Sequence, residues 1–173
     1  MGLRKGNGKA KSRHDNLYFF HYSFPSTGSR IGMAHGHSMK VGPGMETEFS
    51  WDNQFQIIRG RAIGSTSGPI FHNSLISYLT SGICPPNAPL LLNLDSLDFS
   101  SLTPDHVAML ADMRLESAEL RQGSCTALLV QGKMEILLAT YLRERLARSG
   151  PPVEVFTEET EALEWIRRNR ITG

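Results

Sequence analysis

Between Asp98 and Asp105 the chain reads Asp-Phe-Ser-Ser-Leu-Thr-Pro-Asp, and the residue types gathered there set what chemistry the segment offers. Ser100, Ser101 and Thr103 carry hydroxyls able to take a phosphate, with the carboxylates of Asp98 and Asp105 on either side. A phosphate on Ser100 or Ser101 would add about −1.5 to −2 charges beside those acids, disfavouring an acidic partner and loosening the loop. The same residues have a plainer use. Serine and aspartate satisfy exposed backbone groups in turns, and Thr103-Pro104-Asp105 reads as a helix start. Thr103 supplies the capping oxygen, Pro104 fits a first position that needs no N–H, and Asp105 suits the positive end of the helix dipole. No nucleophile, base and oxyanion-stabilising set can be assembled from the spacings, so the expectation is a non-enzymatic protein without a cofactor.

The elements around this segment place it at the edge of a sheet. Leu90 to Leu94 is short and continuously apolar, as expected of a central strand covered on both faces. Upstream, Glu46 to Trp51 alternates polar and apolar residues, Asp52-Asn53 punctuates, and Phe55 to Arg61 follows, which predicts an antiparallel hairpin. Ile70, Phe71, Leu75, Tyr78 and Leu79 recur at helical spacing, ended by Gly82 and Pro85-Pro86. A second helix carries Val107, Leu110, Ala111 and Met113 until Gly123, and a buried strand follows over Cys125 to Val130. The third helix shows a wide apolar stripe of Met134, Leu137, Leu138, Tyr141, Leu142 and Leu146. Gly150-Pro151-Pro152 stops it, Val153 to Phe156 is a last strand, and Ala162, Leu163 and Ile166 pack a final helix. The order is ββαβαβαβα. Long crossovers make most of the strands parallel, so the fold class is α/β: a single mixed, mostly parallel sheet with about four helices and right-handed connections.

Charge separates this domain from what precedes it. Residues 1–44 hold seven Lys and Arg against one acid, for +6, whereas the remainder stands at −5. Eight of the 16 glycines and four of the six histidines also fall there, so the segment is compositionally foreign to residues 45–173. It reads as a basic, Gly-rich, disordered extension or as sequence upstream of a true start at Met45. It lacks the apolar run of a signal peptide and the amphipathic pattern of a transit peptide. No apolar segment of about 20 residues exists to span a membrane. Cys84 and Cys125 have no CxxC spacing and read as unpaired thiols of a reducing compartment, which points to the cytoplasm.

In element order and in three stretches the chain resembles the STAS domain, specifically the SpoIIAA-like family related to bacterial anti-sigma-factor antagonists. The stretches are the opening hairpin, Leu-Leu-Asn-Leu-Asp-Ser-Leu-Asp-Phe-Ser-Ser-Leu-Thr-Pro at 91–104, and Val-Glu-Val-Phe-Thr-Glu-Glu-Thr-Glu-Ala-Leu-Glu-Trp-Ile at 153–166. The resemblance implies a regulatory module that docks a partner protein through the loop 98–103 and the following helix, with serine phosphorylation as the switch. In the antagonists that loop reads Asp-Ser-Ser-Gly-Leu; Phe99 and Ser101 depart from it. Relatives of the fold class also bind lipids. The alternative expectation is therefore a small hydrophobic ligand, held in a groove lined by Trp51, Phe71, Leu138, Tyr141 and Trp165.

Other constellations carry less. Gly64-Ser65-Thr66-Ser67-Gly68 precedes a helix but has neither a following lysine nor GxGxxG spacing. His72 and His106 have no third ligand set by spacing, so no metal is expected. Arg143, Arg145, Arg148, Arg167, Arg168 and Arg170 would form a basic surface only if the last two helices shared a side of the sheet. In a domain at −5 they read as dipole complements, so nucleic acid is not favoured.

Overall fold

The computed structural model describes residues 37–41, 45–65, 68–148 and 150–170. Among these, six strands form one sheet in sequence order: β1 (His37–Val41), β2 (Met45–Asp52), β3 (Ile57–Ser65), β4 (Leu90–Asp98), β5 (Thr126–Leu129) and β6 (Val153–Phe156). Four α-helices accompany them: α1 (Gly68–Thr80), α2 (Pro104–Glu116), α3 (Lys133–Leu146) and α4 (Glu159–Asn169). β1 to β3 pair antiparallel and β3 to β6 parallel, so the sheet is mixed, and from β2 onward the order is the one expected from the sequence.

The sheet begins earlier than Met45. Residues 37–41, inside the segment expected to be foreign, pair with β2 from His37 opposite Phe49 to Val41 opposite Met45. An edge strand is held by main-chain bonds on one side, so His-Ser-Met-Lys-Val shows little of the apolar alternation that marks a half-buried strand. Residues 1–36, for which a basic disordered extension was the expectation, lie outside the described residues.

Because β3, β4, β5 and β6 are laid down in one direction, right-handed crossovers put α1, α2 and α3 on the same face. α4 follows β6 and packs on the opposite face. The two cores record this division. Phe49, Ile58, Leu90, Leu92 and Leu128 pack with Leu75, Tyr78, Leu79, Ala139 and Leu146 on the three-helix side. Ile57, Leu91, Ala127 and Leu129 pack with Ala162 and Ile166 of α4 on the other. β4 is thus covered twice, the reason its sequence is continuously apolar. α3 and α4 lie on opposite faces, so their arginines do not form one basic surface. Arg143 instead pairs with Glu154 at 2.7 Å and Arg168 with Glu164 at 3.5 Å.

Local chemistry fixes the ends. Asp52 accepts from the backbone of Gln54 and Phe55 and closes the β2–β3 turn, in which Gln56 takes a φ of 55°. Its other oxygen meets Arg59 at 2.7 Å, and Arg59 reaches Glu159 at 2.8 Å, tying the hairpin to the start of α4. Beyond α1, Gly82 sits at a φ of 77°, the left-handed position that ends many helices.

Tyr78 is 5 % exposed, its hydroxyl finds no hydrogen-bond partner among the described residues, and burial pushes its pKa up to about 12. Its folded pKa exceeds the unfolded value of 10.0, so the neutral phenol contributes stability fully below pH 10 and loses that contribution as pH rises toward 12. Tyr78→Phe should therefore be at least as stable as the wild type at neutral pH, because it removes a buried unsatisfied hydroxyl. Its urea midpoint should fall less between pH 10 and pH 12. Parallel loss of stability in both proteins would contradict the assignment.

Candidate functional site

A change of phase within β4 organises the site. Arg61 of β3 lies opposite Asn93, but Ile63 lies opposite Ser96, so β4 carries one extra residue across that interval. The Asn93 side chain accepts from the Asp95 amide at 2.8 Å within the bulge, and Arg61 donates to Ser96 Oγ at 3.0 Å beside it. Side chains alternate faces along a strand, so the extra residue swaps the faces of all that follow. Leu90, Leu92 and Leu94 face the three-helix layer, then Leu97 and Phe99 do so, while Asp98 turns outward.

The strand runs directly into a short 3₁₀ turn at Phe99–Ser101 and then into α2. Asp98 Oδ1 accepts from the Ser100 amide at 2.9 Å and from the Ser100 hydroxyl at 2.6 Å. These two bonds, the hydroxyl's first, hold the Asp98 carboxyl below the usual carboxylate range. Thr103 caps α2 as expected: its Oγ1 accepts from the His106 amide at 3.3 Å, and its own amide donates to His106 Nδ1 at 3.4 Å. Histidine here takes the place glutamate holds in the usual capping box. Asp105 is exposed in the first turn of α2. Thus Asp98, Ser100, Thr103 and Asp105 come together at the carboxyl edge of the sheet; the side chain of Ser101 lies outside the described residues.

Beneath this loop, between the sheet and α1, α2 and α3, lies a cavity of about 120 Å³, partly open to solvent. From β3 the cavity is lined by Ala62, a small side chain where a central strand ordinarily carries a branched one. Its walls are almost wholly apolar: Leu92, Leu94, Leu97 and Leu128 from the sheet, Phe71 and Leu75 from α1, Leu110 and Met113 from α2, and Leu142 and Leu146 from α3. Phe99 and Leu102 line the end under the loop. His72, also in the wall, has its pKa lowered by burial against a smaller opposing influence of Glu116, so it is neutral at pH 7.

The opposite end is cationic. Arg114 on α2 and Arg121 beyond it line the cavity near Ser117 and Thr126. Arg121 is 4 % exposed and donates from Nη2 to Ser124 Oγ at 2.6 Å, and to the carbonyls of Ala88 and Cys125 at 3.4 Å. Arg114 donates to the carbonyl of Pro151, and its Nε is buried without a hydrogen-bond partner among the described residues. Sequence reasoning missed both. Arg114 stands in an amphipathic helix where a cation is ordinary, and Arg121 in a polar turn before Gly123, so no local signal marks either as buried.

The groove expected from the sequence is rearranged. Of its five candidates only Phe71 lines the cavity. Trp51 packs against the rim of the three-helix core, and Leu138 is likewise at its periphery. Tyr141 is 41 % exposed, and Trp165 lies on the other face of the sheet, 5.6 Å from Phe156. The apolar stripe of α3 is wider than one face can bury, so Met134, Leu137 and Tyr141 turn to solvent while Leu142 and Leu146 reach the cavity. Cys84 and Cys125 are free and buried, and burial, outweighing the nearby Arg121, raises the Cys125 thiol to about 11. Among the described residues no group of three His, Cys, Asp or Glu side chains is placed to hold a metal, and no helix is long and apolar enough to cross a membrane.

Neither a family model nor a curated protein matches the chain. The chain is similar to a SpoIIAA-like protein. That protein is described as an uncharacterized member of the DUF3478 family with a SpoIIAA-like fold, from Shewanella loihica PV-4, known from a crystal structure. The two share 13 % identity with a TM-score of 0.45, over 82 % of this chain and 99 % of the other.

Thr103→Ala should lower stability by about 1 kcal/mol, since it removes the oxygen that caps α2. The melting temperature should drop by a few degrees, roughly 2–4 °C for a domain of this size. An unchanged melting temperature would show that the loop holds α2 by other means.

Proposed function

We propose that this protein is a non-enzymatic binder of a small apolar molecule, a carrier or sensor, and that the cavity between the sheet and α1, α2 and α3 is its site. The single observation that carries the reading is the volume of about 120 Å³ left inside an otherwise packed layer. Protein interiors ordinarily leave few voids larger than a water molecule. A void of this size, on the order of ten water-sized volumes, with almost wholly apolar walls has room for an apolar ligand. Ligand sites generally combine such walls with a few convergent polar groups. Ala62→Leu places a larger side chain at the wall formed by β3. Native mass spectrometry of the full chain purified from expressing cells should show a bound small-molecule adduct that Ala62→Leu lacks, while its melting temperature stays level or rises. An adduct-free wild type that also takes up neither decanoate nor decan-1-ol when offered them would overturn the reading.

A second reading, docking of a regulatory protein partner through 98–103 and α2 in the cytoplasm, is favoured by how the loop divides. Phe99 and Leu102 line the cavity, and Asp98 and Ser100 are exposed. A state of the cavity is then able to reach the surface through one short turn. Phosphate on Ser100 would replace the hydroxyl proton now given to Asp98 with repulsion between two anions. Ser100→Asp, a partial charge mimic, should accelerate amide hydrogen exchange across 98–103 relative to Ser100→Ala. Equal exchange in the two variants would remove the switch.

A further inference from the structure

We propose that the cavity is a site for an amphiphile with one oxyanionic head group, a carboxylate, which Arg114 and Arg121 receive at the amino edge of the parallel strands, on a narrow extended apolar tail. This rests on the ligand-binding reading above and adds the head group and the direction in which the ligand lies.

Among the described residues the cationic end has no partner of opposite charge. The three hydrogen bonds of Arg121 all leave from Nη2 and end on neutral acceptors: the Ser124 hydroxyl and the carbonyls of Ala88 and Cys125. Arg114 reaches only the Pro151 carbonyl, and its Nε is buried and unbonded among the described residues. Among those residues neither guanidinium pairs with a carboxylate. Arg114 lies close enough to disfavour the charge on Arg121, and the thiols near Arg121, Cys84 and Cys125, are raised by burial and stay neutral at pH 7. Burial lowers both guanidinium pKa values to about 10, which still leaves them charged at neutral pH. Two like charges in a desolvated wall cost stability unless an anion joins them. A guanidinium presents its N–H groups as a planar fork that matches a carboxylate, and such charge-assisted pairs are the strong ones.

The tail follows from the shape. Wall residues follow β4 from Leu90, at the arginine end, to Leu97, beside the loop. At about 3.3 Å per residue that path is on the order of 20 Å long. A volume of about 120 Å³ drawn out over such a path is narrow, suiting an extended chain better than a ring system. With its head on the arginines, the far end of the chain would lie under Phe99 and Leu102.

Decanoate and decan-1-ol, which share a chain length and differ in head-group charge, test this by calorimetric titration of the full chain. The wild type should bind decanoate at least about tenfold more tightly, and the preference should change little from low to physiological salt, because buried pairs are poorly screened. Arg121→Met should lose most of the preference and melt at a higher temperature than the wild type, whereas Arg121→Lys should keep part of it. Equal binding of the two probes by the wild type overturns the anionic head and leaves the apolar site standing. Binding of neither overturns the ligand-binding reading itself. Retention of the full preference in Arg114→Met/Arg121→Met overturns the assignment to these arginines, and inorganic phosphate binding more tightly than decanoate overturns the tail.

Discussion

The extra residue in β4 between Asn93 and Ser96 decides which side chains the last third of the strand sends inward. In a regular strand, Ser96 and Asp98 would follow Leu92 and Leu94 into the three-helix layer, and Leu97 and Phe99 would be turned outward. That arrangement would bury a carboxylate and expose two large apolar groups, both unfavourable. The bulge reverses both. It joins the apolar wall to the loop, frees Asp98 to receive Ser100, and lets Thr103 begin α2 in register with its neighbours. The apolar wall under the loop and the turn above it both follow from one slip in pairing.

The interior so formed departs twice from what stability alone would select. Its β3 wall is the small side chain of Ala62, while a Cβ added at Gly60 would come within 3.0 Å of Leu92 and Phe49, so the strand is tight at one position and leaves room at the next on that face. The same layer takes in two guanidinium groups, Arg114 and Arg121, that no acid among the described residues neutralises. Sequences generally violate local rules of this kind where function demands it, at a cost in stability. Here both violations fall on one cavity, which is why the functional reading centres there rather than on the exposed loop.

Much of the architecture was legible in the sequence because its signals are local. The apolar run at 90–94, the Thr103-Pro104-Asp105 start and the Gly150-Pro151-Pro152 stop each mark an element by its own residues. Two features were not legible for the opposite reason. β1 owes its place to main-chain pairing with β2, to which side-chain alternation contributes little. The continuation of β4 to Asp98 was hidden because the phase of Leu92, Leu94, Leu97 and Phe99 changes midway, and a strand template expects it to hold. At the site, Asp98, Ser100 and Thr103 do meet, where they order a turn and a helix start. Of the groove candidates Phe71 lines the cavity and the others lie elsewhere, because helix and strand periodicity cannot say which face of the sheet an aromatic will join. Trp165 and Phe71 are equally apolar and lie on opposite sides.

The sheet ends on β6, which spans only Val153–Phe156 and is led in by Pro151 and Pro152. An uncovered strand edge is a template on which a neighbouring copy can add its own strand, the first step toward fibres. A rim of four residues whose entry lacks two amide hydrogens presents too few main-chain groups for that. A layer that leaves room for a guest is thus bounded, on this side, by an edge that discourages self-association.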